Sequence, residues 1–274
     1  DPKKGIDQLS KVVIHEVAHQ WYGHKLSPAP GSGANMLSET MANYVEGQVL
    51  EKMYGKTVLR RLANSNRRRY FSFKSSSEDA ELPLCDVNNE TYIAYRKGFL
   101  MMQSLKEMVG VDSLNASLEE LINTHQKEQS ARSTDFLKIV KSNLNKEKKE
   151  LIKDWFEKVI RYDLSLRNYK ILIDNGDQVK ISLNISARRF ETLESGEEKE
   201  ILINEPILIG FYQRYPDDIH ANPIFKKVAI NQKDSKLTFT LDHMPQYIVL
   251  DPLITRLDED LSDNIKEIKN NRMQ

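Results

Sequence analysis

Apolar residues recur along this chain with two different periods, and the switch between them falls near Leu166. Between residues 6 and 24, Leu9, Val12, Val13, Val17 and Trp21 recur at helical spacing until Gly23 stops them, which predicts a helix. Val12, Val13, Ile14, Val17 and Ala18 read as an apolar wall, which predicts that this helix is buried. Residues 27–33, Ser-Pro-Ala-Pro-Gly-Ser-Gly, predict a loop. A second helix is expected from Met36 to Gly55, a third from Val58 to Phe71 and a fourth from Thr91 to Gly110. The polar stretch from Ser75 to Asn89 reads as a loop. Helical stripes continue from Asp112 to Tyr162, the last built on Leu151, Ile152, Trp155, Phe156, Val159 and Ile160.

Beyond Leu166 the period is 2. Residues 169–173 lead into Asn175-Gly176, a hairpin signal, and residues 179–185 then alternate strictly. Further strands are expected at 201–203, 207–212, 225–230, 237–241 and 247–250, a count and spacing that suit a β-sandwich. The pattern therefore predicts an α+β chain: a helical part over 1–165, a small antiparallel β-sandwich over 166–256, and a charged tail over 257–274 that frays.

Composition narrows the partners. Lys+Arg and Asp+Glu are both 40 among 274 residues, so net charge points to neither nucleic acid nor an anionic surface. Arg60, Arg61 and Arg67-Arg68-Arg69 then read as a solvated helix face, and no nucleic-acid partner is expected. The single cysteine, Cys85, excludes an internal disulfide and any multi-cysteine zinc site. No apolar run reaches the roughly 18 residues of a membrane span. The chain opens on Asp1 rather than Met, which makes a piece of a longer polypeptide the expectation.

The chemistry lies in His15-Glu16-Val17-Ala18-His19 on the first helix. Residues four apart share a helix face, so His15 and His19 can present two imidazole nitrogens to one metal ion. Glu16 lies about 100° further round, beside the metal, where a carboxylate can take a proton from water. Two histidines and a glutamate on a buried helix need partners of this kind. A third protein ligand is wanted, and Glu39, with nineteen residues between it and His19, stands in the first turn of the next helix. A glutamate there could instead simply complement the helix dipole. Asn43, one turn on, is a candidate partner for a ligand histidine. His220 and His243 lack paired spacing and read as surface residues.

These residues carry a resemblance. His15-Glu16-x-x-His19 followed by a glutamate on the next helix resembles the gluzincin metallopeptidases. The longer form, from His15 through Gln20-Trp21-Tyr22-Gly23-His24 and then Leu37-Ser38-Glu39-Thr40-Met41-Ala42, is similar to the aminopeptidase N family. Most members of that family place eighteen residues before the third ligand; the nineteen here match thermolysin. The resemblance implies a thermolysin-like helical catalytic part and one Zn²⁺ held by His15, His19 and Glu39. It also implies Glu16 as the base and a peptide substrate. The Tyr95-Arg96-Lys97-Gly98 segment resembles the one supplying that family's catalytic tyrosine, which maps onto Tyr95, with Tyr92 the competitor.

In that family, acidic residues in a Gly-x-Met-Glu-Asn-like strand upstream of the zinc helix bind the substrate's free amine, and this sequence contains no such strand. Aminopeptidase and endopeptidase thus stay open. The Asp251-Pro252-Leu253-Ile254-x-Arg256 pattern with Asp263-Asn264 is similar to bacterial proteins in which a peptidase follows an ABC-type permease. That implies a soluble domain of a bacterial membrane protein. The alternative function is a peptidase-fold binding or sensor domain of a transporter with little turnover. A third is another zinc hydrolase on this scaffold, such as an epoxide hydrolase.

Overall fold

The computed structural model describes residues 7–77, 80–125, 129–174 and 178–269, and in them the chain is α+β. Helix α1 (Gln8–Ala18) starts where the Asp7 carboxylate accepts from the backbone N–H groups of Leu9 and Ser10. A π-helical turn (Met36–Thr40) runs into α2 (Met41–Tyr54), and α3 (Thr57–Lys74) follows. A second π-helical turn (Tyr92–Lys97) runs into α4 (Gly98–Val109), then α5 (Val111–Thr124), α6 (Ser133–Lys141) and α7 (Lys146–Phe156). Every residue of α4 from Gly98 to Leu105 is buried, so this helix is the axis of the helical core. Helices α2, α3, α5, α6 and α7 contribute apolar side chains to that core, and α1 adds Ile14 at its edge. Among the described residues no helix is long and apolar enough to cross a membrane.

Two four-stranded antiparallel sheets follow. In one, β1 (Val159–Asp174) pairs with β2 (Val179–Thr192), which also pairs with β3 (Glu198–Ile201) and β6 (Asp234–Leu241). The other runs β5 (Ile224–Ile230), β4 (Glu205–Tyr212), β7 (Tyr247–Leu250), β8 (Ile265–Glu267). Residues of both sheets, Leu164, Ile181 and Leu183 with Ile209 and Ile248, share a second apolar core. β1 and β2 pair antiparallel in succession, as the hairpin signal requires, although Asn175-Gly176 itself lies outside the described residues.

Four expectations are corrected. Of the wall expected to be buried, Ala18 is buried but Val12, Val13 and Val17 are 51–55% exposed. The face of α1 that packs on α2 is the polar-to-small seam His15 and Ala18, because α2 presents Glu46 there and a carboxylate needs a cationic partner. The helical stretch ends at Phe156 rather than Tyr162: Val159 and Ile160 fit either period, and pairing with Thr192 and Glu191 decides for strand.

The charged residues after Leu257, expected to fray, are held as far as Ile268. Arg256 is 2% exposed, donating to Glu205 at 2.7 Å and lying over the Trp155 ring. Two arginines of the run taken as a solvated face, Arg60 and Arg67, are buried and donate to the carbonyls of Pro252, Asp258 and Glu259. Charge composition reads as solvation unless the partner is known, and these partners are backbone carbonyls some 190 residues away.

Candidate metal centre

The site forms where α1 crosses the two π-helical turns. Such turns insert one residue into the helical repeat and re-aim a side chain. Glu39 stands on the first and Tyr95 on the second. The turns are tied together by Thr40, whose hydroxyl donates to the Ala94 carbonyl at 2.6 Å, and by Asn43, whose amide donates to the Tyr95 carbonyl at 2.7 Å. Gly98 makes the close approach possible, since a Cβ there would lie 2.5 Å from Thr40 Oγ1.

From this frame three donor atoms converge. His15 Nε2 lies 3.2 Å from His19 Nε2 and 3.3 Å from Glu39 Oε2, and His19 Nε2 lies 3.5 Å from the same oxygen. Two ligands each about 2.05 Å from a tetrahedral metal lie about 3.3 Å apart, so two imidazoles and one carboxylate at these separations fit Zn²⁺. They form the one such cluster among the described residues. His19 is further aligned by its Nδ1, 2.9 Å from the carbonyl of Tyr22. Past Ala18 the chain widens, with His24, Lys25 and Leu26 bonding five residues back, and that brings the Tyr22 carbonyl under the ring.

The electrostatics of these side chains follow from the same contacts. Burial works against the charged form of His15, but the Glu39 and Glu46 carboxylates outweigh it and raise its pKa to about 9. Burial would raise the Glu39 carboxyl, yet hydrogen bonds from His15 and Tyr95 hold it below the usual carboxylate value. Burial, reinforced by the Glu39 charge, raises the Tyr95 phenol well above its ordinary value, so at neutral pH it keeps its proton.

The remaining candidates fall as follows. Tyr95 donates its phenol proton to Glu39 Oε2, the oxygen facing both histidines, and its ring stacks on His15 with centroids 5.5 Å apart. Tyr92 instead faces Tyr70 in the core, with ring centroids 6.0 Å apart. Glu16 is exposed on α1 beside the cluster, near enough that its charge is felt at Tyr95. Asn43, expected behind a ligand histidine, is committed to the Tyr95 carbonyl; the group facing His15 Nδ1 is Glu46, at 3.5 Å. No spacing rule marks Glu46, although it stands seven residues, two helical turns, after Glu39.

Among known proteins, residues 2–155 match the profile of the peptidase family M1 domain. The chain is 22% identical over 248 residues to Probable aminopeptidase 2 of Sulfurisphaera tokodaii, covering 77% of this chain and 31% of that protein. It therefore spans about a third of the length of that curated relative. Legionella pneumophila aminopeptidase A, solved in complex with aspartic acid, shares the fold at 14% identity and a TM-score of 0.55, covering 90% of this chain and 26% of that one. An M1 zinc metallopeptidase from Deinococcus radiodurans is 24% identical, with a TM-score of 0.43, over 53% of this chain and 32% of that one.

Proposed function

The chain belongs to peptidase family M1, and from that premise we propose that it is the catalytic part of a zinc metallopeptidase of aminopeptidase type. The observation that carries the reading is the set of three separations, 3.2, 3.3 and 3.5 Å, among His15, His19 and Glu39. In this reading the helical part is thermolysin-like and the two sheets form its accompanying β-sandwich.

His15, His19 and Glu39 hold Zn²⁺, which when bound supplies a Lewis acid that polarises a carbonyl and acidifies water. Glu16, exposed beside the cluster, takes the proton of the attacking water and hands it to the leaving amine. Tyr95, kept protonated by burial and by its carboxylate neighbour, donates to the oxygen of the scissile carbonyl as it gains negative charge. A bare binding module would need neither a base nor an oxyanion donor, which favours turnover over the sensor alternative. The pattern around Asp251 and Asn264 is accounted for by packing, since Asp251 accepts from Thr255 and Arg256 and Asn264 donates to Asp258. It adds no support for a permease.

The test is elemental analysis combined with hydrolysis of a dipeptide and of its N-acetylated form. We expect about one zinc per chain, most of it lost in His19→Ala. Glu16→Gln retains the metal, and hydrolysis falls by roughly two to four orders of magnitude. Preference for the free amine marks an aminopeptidase, and indifference to acetylation an endopeptidase. Full zinc occupancy in both His15→Ala and His19→Ala would rule out this centre.

A further inference from the structure

The two ligand histidines are backed differently. His19 rests on a neutral backbone carbonyl contributed by its own helix end. His15 rests on a carboxylate from another helix. Glu46 on α2 is 3% exposed, with one oxygen 3.5 Å from His15 Nδ1 and the other 3.4 Å from the Lys11 ammonium. Lys11 is one helical turn before His15, so a single face of α1 presents both partners of this buried acid. A neutral imidazole carries one proton. With a metal held on Nε2, which faces His19 and Glu39, that proton would be on Nδ1, the nitrogen that faces Glu46.

We propose that Glu46, clamped by Lys11, is the positioning residue that fixes the tautomer and ring orientation of His15 for metal binding. The inference rests on the metallopeptidase reading and deepens it at a residue outside the ligand set. An ionised acceptor behind a ligand histidine holds the ring and makes its free nitrogen more basic. Lys11 has a separate role. A carboxylate buried without a cation would be costly, and the ammonium, 3.4 Å from its second oxygen, supplies that partner and anchors Glu46 on the face of α1 that carries His15. Arg96, on the turn bearing Tyr95, is also within electrostatic reach of Glu46. Asn43 cannot take this place, because its amide already donates to Tyr95.

The contact at 3.5 Å is an ion-pair distance rather than a short hydrogen bond, which sets the expected effect toward the lower end of the range for such backing groups. The experiment measures zinc affinity by chelator competition and the imidazole ¹⁵N–¹H spectrum of the zinc-loaded chain. It uses wild type, Glu46→Gln, Glu46→Leu and Lys11→Met. Glu46→Gln keeps an acceptor but drops the charge, so zinc should bind about tenfold more weakly. Glu46→Leu drops both and should lose more, toward a hundredfold. Lys11→Met should cost about two- to threefold.

The His15 Nδ1–H signal should exchange faster with solvent in both Glu46 variants, with that of His19 unchanged. Loss of both signals' protection together would mean a general packing role and overturn the proposal, as would zinc affinity within twofold of wild type in the Glu46 variants. Should Glu46→Leu fail to fold, Glu46→Gln decides by the same two readouts. A wild-type chain that takes up no zinc sinks the metallopeptidase reading itself. Wild-type uptake with indifferent Glu46 variants sinks this inference alone.

Discussion

Gly98→Ala adds one methyl group at the place where the two π-helical turns meet. Built on the existing backbone, its Cβ lies 2.5 Å from Thr40 Oγ1 and 2.7 Å from Thr40 Cγ2, where ordinary contact begins at 3.4 Å. Thr40 is fully buried and its hydroxyl is already engaged by Ala94, so it has nowhere to turn, and the segments must part by about 0.9 Å. Overpacking of this kind costs about 1–3 kcal/mol, and straining the Thr40–Ala94 bond adds about 1 kcal/mol. We expect a loss of about 2–4 kcal/mol, or roughly 5–10 °C in the unfolding midpoint of the metal-free chain. Because Thr40 adjoins Glu39 and Ala94 adjoins Tyr95, the same movement separates ligand from phenol, and zinc affinity should fall with stability. Thr40→Ala removes both clashing atoms and leaves the Thr40 Cβ at 3.1 Å. In that background Gly98→Ala should cost at least about 1 kcal/mol less than in wild type, measured as a double-mutant cycle in urea. Equal costs in the two backgrounds would refute the steric argument.

Tyr95→Phe should leave zinc affinity within about threefold and lower kcat about a hundredfold, because an oxyanion contact is made only as charge develops. An unchanged kcat would remove the phenol from the chemistry. Glu39→Gln takes a charged ligand from a dication, and chelator should strip zinc at least about tenfold more readily than from Glu16→Gln. The opposite order would exchange the roles of the two carboxylates. Burial raises the Asp258 carboxyl to about 7, against hydrogen bonds from Asn264 and the Leu164 N–H that favour its charged form. Since the folded chain then holds a proton that the unfolded chain releases near pH 4, this group's contribution to stability falls as pH rises from about 4 to about 7, by about 4 kcal/mol in all. Asp258→Asn should remove that slope, and parallel urea-derived stability curves for variant and wild type would contradict it.

How much of this was legible in the sequence depends on whether the answer lay in spacing or in partnership. His15 and His19 are four apart, and helix geometry alone places their rings together. Glu39 could be named because a third ligand was wanted, but neither its π-helical turn nor the one under Tyr95 has a periodic signature. The apolar stripe of α1 is visible in the sequence, but most of it faces outward. Periodicity locates a stripe; whether it is covered depends on what packs opposite, and there the seam is Lys11, His15 and Glu46. Asn43 is the candidate that proximity to Glu39 suggests, yet its amide is turned to the Tyr95 carbonyl, and no spacing rule points to Glu46. The strand boundary was misjudged for a simpler reason: Val159 and Ile160 are β-branched residues that satisfy both periods, and only pairing distinguishes them.

The segment from Asp251 to Ile268 belongs to neither core alone. Ile254 and Leu257 fill the helical core and Ile268 the sheet core, while Arg60 and Arg67 grip its carbonyls from one side and Glu205 holds Arg256 from the other. It works as a suture drawn through both halves, so neither half can open without loosening the other. Heat or denaturant should therefore meet one cooperative unit rather than two successive transitions, and a protease that cuts within this stretch should release both halves at once. The same stitching limits recombination: a foreign sheet domain grafted behind α7 would need to bring its own arginine and its own loop, or leave Arg60 and Arg67 buried without the carbonyls they now hold.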